Sequence, residues 1–231
     1  MSKYDQFPEC TVYTMPQRTE EWHDIRREKL TASEAGAWLA KCSTQTAIKA
    51  RHKALCKILG QRSGIRVPDD FQVDPDGPEP LSKSAWAIWR GINLEKDAVQ
   101  AFTHATELDV QEVGFCVHKS KVAGCSPDGL ILGEPEGFEG KCPLPETHCR
   151  YVLDGSLPDE YRDQVHFSMA VTGAKAWWFQ SYCPGLPSLR IRIERDQYTE
   201  SMAAGIVEFA ELIKQANQKM ADLWQKEFPN A

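Results

Sequence analysis

What this sequence lacks narrows its chemistry. No run approaches the roughly 18 consecutive apolar residues of a membrane-spanning helix, and Met1 to Tyr13 is polar and mixed in charge rather than basic and then apolar. Membrane insertion and secretion are both disfavoured, and a cytoplasmic location is expected. No C-x-x-C pair occurs among Cys10, Cys42, Cys56, Cys116, Cys125, Cys142, Cys149 and Cys183, so these read as reduced thiols rather than a disulfide framework. A zinc cluster of Cys142, His148 and Cys149 is disfavoured because its spacing matches no common site. Also missing are G-x-x-x-x-G-K-S/T, G-x-G-x-x-G and H-E-x-x-H, which removes the simplest arguments for a nucleotide hydrolase, a dinucleotide enzyme or a zincin. The six histidines form no recognisable triad.

What is present suits one compact domain over 1–231, since 231 residues with 42 % hydrophobic and 26 % charged content can bury a sizeable core. The expected parts are an N-terminal helical region 1–60, a mobile insertion at about 61–84, a core at about 85–195 and a C-terminal helix at about 196–228. The net charge of −6 alone argues against a general nucleic-acid binder, but its distribution is uneven. Residues 1–66 hold 12 Lys and Arg against 7 Asp and Glu, hence +5, while 67–231 hold 15 against 26, hence −11. A basic end can meet phosphate, and acidic clusters can hold metal.

Trp22, Ile25 and Leu30 recur at helical spacing, which predicts a helix over 19–29, and Thr31-Ala-Ser-Glu34 matches a capping box opening a second helix to about 40. A third helix is expected over 47–59, with Lys49, Arg51, Lys53 and Lys57 on it. Between 61 and 84, Pro68, Pro75, Pro78 and Pro80 destroy any periodicity. Ile88, Leu94, Ala98, Ala101 and Phe102 then predict a helix over 84–107 with these residues on one side, followed by extended runs at 110–118, 122–125, 129–132 and 137–142. A helix over 158–171 and strands over 175–182 and 188–194 complete a mixed α/β (α+β) core in the order αβββαβ, plus one further strand. Met202, Ile206, Phe209, Ile213, Ala216, Met220 and Leu223 predict a long C-terminal helix packed on its own sheet, in preference to a subunit contact.

Acidic hydrolytic chemistry survives these exclusions. Asp128 lies in Cys125-Ser-Pro-Asp-Gly129, and Glu139-Gly-Lys141 falls in the next strand, where residues two apart share a face. Glu139 to Lys141 is the one acid-x-Lys pattern in the chain. The carboxylates of Asp128 and Glu139 and the carbonyl of Gly140 are hard oxygen donors suited to Mg²⁺. Glu95 is a third carboxylate for the same ion or a second one, and Lys141 is placed to orient or deprotonate a water. Two ions would stabilise both oxygens of an in-line displacement at phosphorus. Gln164, on the following helix, comes in the right order to line the same pocket.

The sequence resembles the phage lambda exonuclease family, the YqaJ-like viral recombinases within the PD-(D/E)xK nucleases. The resemblance is carried by Glu21-Trp22-His23 with Arg26, Thr31 to Glu34, Gly91 to Glu95, Cys125 to Leu130, Glu139 to Pro143, Gln164 to Met169 and Ala176 to Phe179. It covers about residues 20–210 and departs from the family at 61–84 and at Trp89-Arg90-Gly91, where Arg90 interrupts a Trp-Gly pair. It implies a restriction-endonuclease-like core, a mixed central sheet flanked by helices. It further implies a Mg²⁺-dependent enzyme, with Mn²⁺ as substitute, that digests one strand of duplex DNA from a 5′ end to mononucleotides. Glu95, Asp128, Glu139 and the Gly140 carbonyl would bind metal, and Lys141 and Gln164 would act on the nucleophilic water.

The resemblance also turns Arg26, Thr31 and Ser33 into a pocket for a terminal 5′-phosphate, since a helix N-terminus and a forked guanidinium both favour anions. Ile88 falls where the family carries a wedge between bases. Family members form ring-shaped trimers on DNA and work beside a single-strand annealing protein in phage-type recombination, in a bacterial or phage-infected cell. A sequence- or structure-specific endonuclease on the same core, and a catalytically silent DNA-end clamp, are the competing readings.

Overall fold

The computed structural model describes residues 3–32, 34, 45–62, 77–79 and 82–229. Most of the expected insertion at 61–84, Ser33 and nearly all of the helix expected to about 40 lie outside the described residues. In chain order the elements are β1 (Cys10–Tyr13), α1 (Glu20–Arg26), β2 (Leu30–Thr31), α2 (Gln45–Gln61), α3 (Lys83–Thr106), β3 (Val110–Gln111), β4 (Phe115–His118), β5 (Ala123–Cys125), β6 (Gly129–Ile131), β7 (Glu136–Lys141), α4 (Pro145–Asp154), α5 (Asp159–Thr172), β8 (Ala176–Ser181), β9 (Leu189–Glu194) and α6 (Gln197–Glu227). This is a mixed α/β architecture with a long C-terminal helix.

The strands described form two mixed sheets. One has the order β1-β4-β5-β2 and the other β3-β6-β7-β8-β9; among the described residues the parallel pairs are β2–β5 and β7–β8. The division falls inside the run expected as one strand over 110–118. Val110 and Gln111 pair with β6, then the chain crosses at Gly114 and Phe115 to His118 pair with β1. Gly114 permits the crossing, because a Cβ there would stand 2.2 Å from the carbonyl oxygen of Met15.

Local chemistry fixes the helix ends. Thr19 Oγ1 accepts from the Trp22 amide at 3.3 Å and starts α1. The helix stops at Arg26 rather than Lys29, since Glu28 takes φ 64 and turns the chain so that Leu30 is buried in β2. Ser82 caps α3 from 3.2 Å, and Glu107 at φ 60 ends it. Helix α4 was not expected from the pattern; Pro145 in its first turn and the buried pair His148 and Tyr151 define it.

Helix α3 packs on the five-stranded sheet through Phe102, whose ring centroid lies 4.7 Å from that of Phe138, with Ile131 beside them. On the other side Val165, Phe167 and Met169 of α5 join Trp177, Val122 and Leu30 in the larger core. Helix α6 adds Met202, Ile206, Phe209 and Ile213 to that core. Its main packing partners are α5 and α2, and its buried residues end at Ile213. Met220, Leu223 and Trp224 are exposed, so the packing expected to run to Leu223 ends about two turns earlier.

Candidate active site

Strand β7 carries its side chains to opposite faces. Phe138 points to α3, and Glu139 and Lys141 meet each other on the side of α5. Helix α5 supplies Gln164, whose Nε2 donates to Glu139 Oε1 at 2.5 Å, and Tyr161, whose ring centroid lies 5.4 Å from Lys141 Nζ. Asp128, in the turn between β5 and β6, accepts from the Gly140 amide at 2.8 Å, so the acid is tied to the residue between Glu139 and Lys141. Asp128, Glu139, Lys141, Gly140 and Gln164 are therefore brought together as expected.

The electrostatics of this group are unbalanced. Burial, reinforced by Glu139 and only partly offset by Lys141, raises the Asp128 carboxyl well above the usual carboxylate range. Burial pulls the Lys141 ammonium down, but Glu139 and Asp128 outweigh it, so the net shift is upward and the group stays charged. Glu139 is 1 % exposed, and its Oε2 has no hydrogen-bond partner among the described residues. A buried carboxylate oxygen left unpartnered is costly. With Asp128 and the Gly140 carbonyl it forms a hard-oxygen donor set that fits a divalent cation.

Glu95 stands beside this cluster and acts electrostatically on Asp128. It reaches the site from the α3 face, and its Oε2 is held by Arg18 Nη2 at 3.2 Å. Among the described residues no group of three His, Cys, Asp or Glu side chains stands ready for a metal ion. Glu95, the third carboxylate expected at the site, is thus paired with Arg18 while lying within electrostatic reach of Asp128. The zinc alternative fails too, because both ring nitrogens of His148 are engaged, by Ser181 Oγ at 2.7 Å and the Pro187 carbonyl at 3.0 Å. Burial also pushes the Cys142 thiol up to about 12, which disfavours a thiolate.

A second polar group adjoins the Asp128 turn. Arg26 lies 4.1 Å over the Trp22 ring and donates to Ser126 Oγ at 2.7 Å, two residues before Asp128. Trp22 Nε1 reaches the same hydroxyl at 3.1 Å. Thr31 is buried in β2 opposite Gly124, and its hydroxyl donates to Glu34 at 3.2 Å. Glu34 in turn pairs with Lys57 of α2. Arg26 and Thr31 thus flank strand β5 as it enters the Asp128 turn; Ser33 lies outside the described residues. Ile88, expected on the packed side of α3, is 46 % exposed, which leaves it accessible.

Three contributors had no role assigned from the sequence: Ser126, although it lies in the Cys125 to Gly129 motif; Arg90, although it interrupts the Trp-Gly pair; and Arg18, which belongs to no motif. Arg90 Nη1 donates to the carbonyls of Cys142 and Pro143 at 3.0 and 2.9 Å, clasping the exit of β7 to α3. The residue that interrupts the family's Trp-Gly pair is therefore a tie between α3 and the end of β7.

A carboxylate pair, an ammonium and an amide assembled on one strand end of this fold define the class, the PD-(D/E)xK proteins. Residues 21–175 match the YqaJ-like viral recombinase domain, and the chain belongs to that family. It is similar to the alkaline exonuclease LHK-Exo of Laribacter hongkongensis at 28 % identity and TM-score 0.63, covering 89 % of this chain and 100 % of that one. The same values describe the LHK-Exo complex with dAMP. A phage-related exonuclease from Haemophilus somnus 129PT shares the fold at TM-score 0.55 and 13 % identity, covering 83 % of this chain and 96 % of that one. No curated protein matches the chain by sequence.

Proposed function

We propose that the protein is a divalent-metal-dependent 5′→3′ exonuclease that digests one strand of linear duplex DNA from a 5′-phosphorylated end, leaving a 3′ single strand. The observation that carries this reading is the buried, unpartnered oxygen of Glu139 beside Asp128, with Lys141 and Gln164 on the same carboxylate. Family membership and the similarity to LHK-Exo, an alkaline exonuclease that has been crystallised with dAMP, support it.

Asp128, Glu139 and the Gly140 carbonyl would hold Mg²⁺ or Mn²⁺, and Glu95 is the candidate donor for a second ion. When bound, such an ion supplies Lewis-acid stabilisation of charge at phosphorus. Gln164 keeps Glu139 in a single orientation. The Lys141 ammonium donates to the attacking water and aligns it with the phosphodiester. Arg26 and Thr31, with Ser33, bind the terminal 5′-phosphate and set the register at which the strand meets the carboxylates. The exposed Ile88 is the candidate wedge between the first bases. Support for a processive homotrimeric ring and for a single-strand annealing partner comes from the family resemblance. The exposed apolar end of α6 is compatible with a subunit contact. No helix among the described residues is long and apolar enough to cross a membrane.

The test is time-resolved digestion of duplexes labelled separately at each end, with phosphorylated or hydroxyl termini, beside a covalently closed circle. Mononucleotides should leave the phosphorylated 5′ end with Mg²⁺ or Mn²⁺ and not with chelator. Nicking of the circle would replace this reading with the endonuclease. Absence of nucleotide release with either ion would replace it with a clamp.

A further inference from the structure

We propose that Arg18 makes ion binding at Glu95 conditional on DNA: its guanidinium neutralises Glu95 in the DNA-free protein and passes to a backbone phosphate when the strand enters, releasing the carboxylate. This rests on the nuclease reading above and adds a regulated step to it.

The geometry separates what is fixed about Arg18 from what is free to move. On one side Gln17 Nε2 donates to the Val113 and Pro127 carbonyls at 3.0 and 2.9 Å, which pins the backbone beside the Asp128 turn. On the other side Thr19 caps α1. Arg18 itself sits at φ 68, a conformation a residue with a Cβ adopts only when its neighbours impose it. The anchor point is therefore set by Gln17 and Thr19 and does not depend on the side chain.

The guanidinium end is held far more loosely. Its pair with Glu95 is 44 % exposed on the Arg18 side and 30 % on the Glu95 side, and ion pairs in that setting contribute little to stability. A phosphodiester offers the guanidinium two oxygens in a fork it fits well, so exchange of partners is favourable once DNA is present. The released Glu95 adds a negative charge to a site where it already acts electrostatically on Asp128. A divalent cation answers that charge. Linkage then requires reciprocity: DNA tightens ion binding, and the ion tightens DNA binding by the same factor.

The experiment is calorimetric titration of Mn²⁺ into the full chain, alone and with a duplex whose terminal linkages are phosphorothioates to suppress turnover. In the wild-type protein the duplex should raise Mn²⁺ affinity by about 5-fold or more. Arg18→Asn, chosen because Asn tolerates the positive φ, should bind Mn²⁺ more tightly without DNA and lose most of the DNA-induced gain. Arg18→Lys should retain part of that gain, and Arg26→Ala should keep it while weakening duplex binding. An Arg18→Asn protein that shows the full wild-type gain overturns the proposal, even where wild-type digestion upholds the nuclease reading. A wild-type protein that neither binds Mn²⁺ nor digests duplex overturns both.

Discussion

Arg26, bonded to Ser126 two residues before Asp128, and Glu139, next to the Gly140 amide that bonds Asp128, differ in how their charges are met. Arg26 lies over Trp22 and donates to Ser126, and Thr31 opposite Gly124 has its hydroxyl on Glu34. Glu139 is bonded by Lys141 and Gln164 through one oxygen and leaves the other buried without a partner among the described residues. The Arg26 side is held in place by its own protein contacts. The carboxylate side is held in a high-energy arrangement, because burial has removed water from charges that only partly cancel. Burial therefore leaves the carboxylate side with an oxygen that has no partner among the described residues, whereas the Arg26 side has its donors engaged.

Removing the ammonium attacks the unbalanced side most severely. Lys141→Ala should lower hydrolysis by at least roughly 10²-fold, measured by nucleotide release at saturating duplex, while end binding in fluorescence anisotropy changes little. Near-normal turnover would show that the two sides do not share a reacting centre.

Arg26→Ala tests the organised side. It should erode the preference for 5′-phosphorylated over 5′-hydroxyl ends by roughly 10-fold, the scale of a charge-assisted hydrogen bond. Equal losses on both kinds of end would make Arg26 a packing residue over Trp22.

The smallest effect is the most direct measure of stored imbalance. Asp128→Asn should stabilise the ion-free fold by about 1 kcal/mol or more, read as a higher unfolding midpoint at neutral pH. The sign follows from the raised folded-state pKa of Asp128. The stability attached to its proton is present below the unfolded carboxylate range and is lost as pH rises through the folded value. The gap between variant and wild type should therefore close as pH falls. Mg²⁺ should raise the wild-type midpoint more than that of the variant. A variant less stable at every pH would contradict the account of the carboxylate side.

The elements that the sequence reveals are those with enough residues to show a period. Helices α3, α5 and α6 and strands β7 to β9 fall where spacing put them, within a residue or two. Strands β1 and β2 are four and two residues long, too short to display alternation, and exist because β4 and β5 offer them hydrogen bonds. Helix α4 hides behind two prolines, Pro143 and Pro145. The end of the α6 stripe shows the opposite error: periodicity continues through Met220 and Leu223 although nothing among the described residues covers them. In the site, Asp128, Glu139, Lys141 and Gln164 were legible because two adjacent strands and the next helix confine them. Glu95 was legible as an acid on the right helix, but not as the partner of Arg18.

The chain by itself determined the chemical inventory: hard oxygen donors and one ammonium at strand spacing, a basic beginning and an acidic remainder, and a helix ending in Arg26. Those are properties of residue type and short-range periodicity. Only the tertiary structure decided which charges find counter-charges. Arg18 meets Glu95 across 77 positions of sequence, and Arg26 meets Ser126 across 100. The second oxygen of Glu139 meets nothing among the described residues. Burial and pairing are set by the packing of distant segments, and in a site of like charges they decide where an ion is needed.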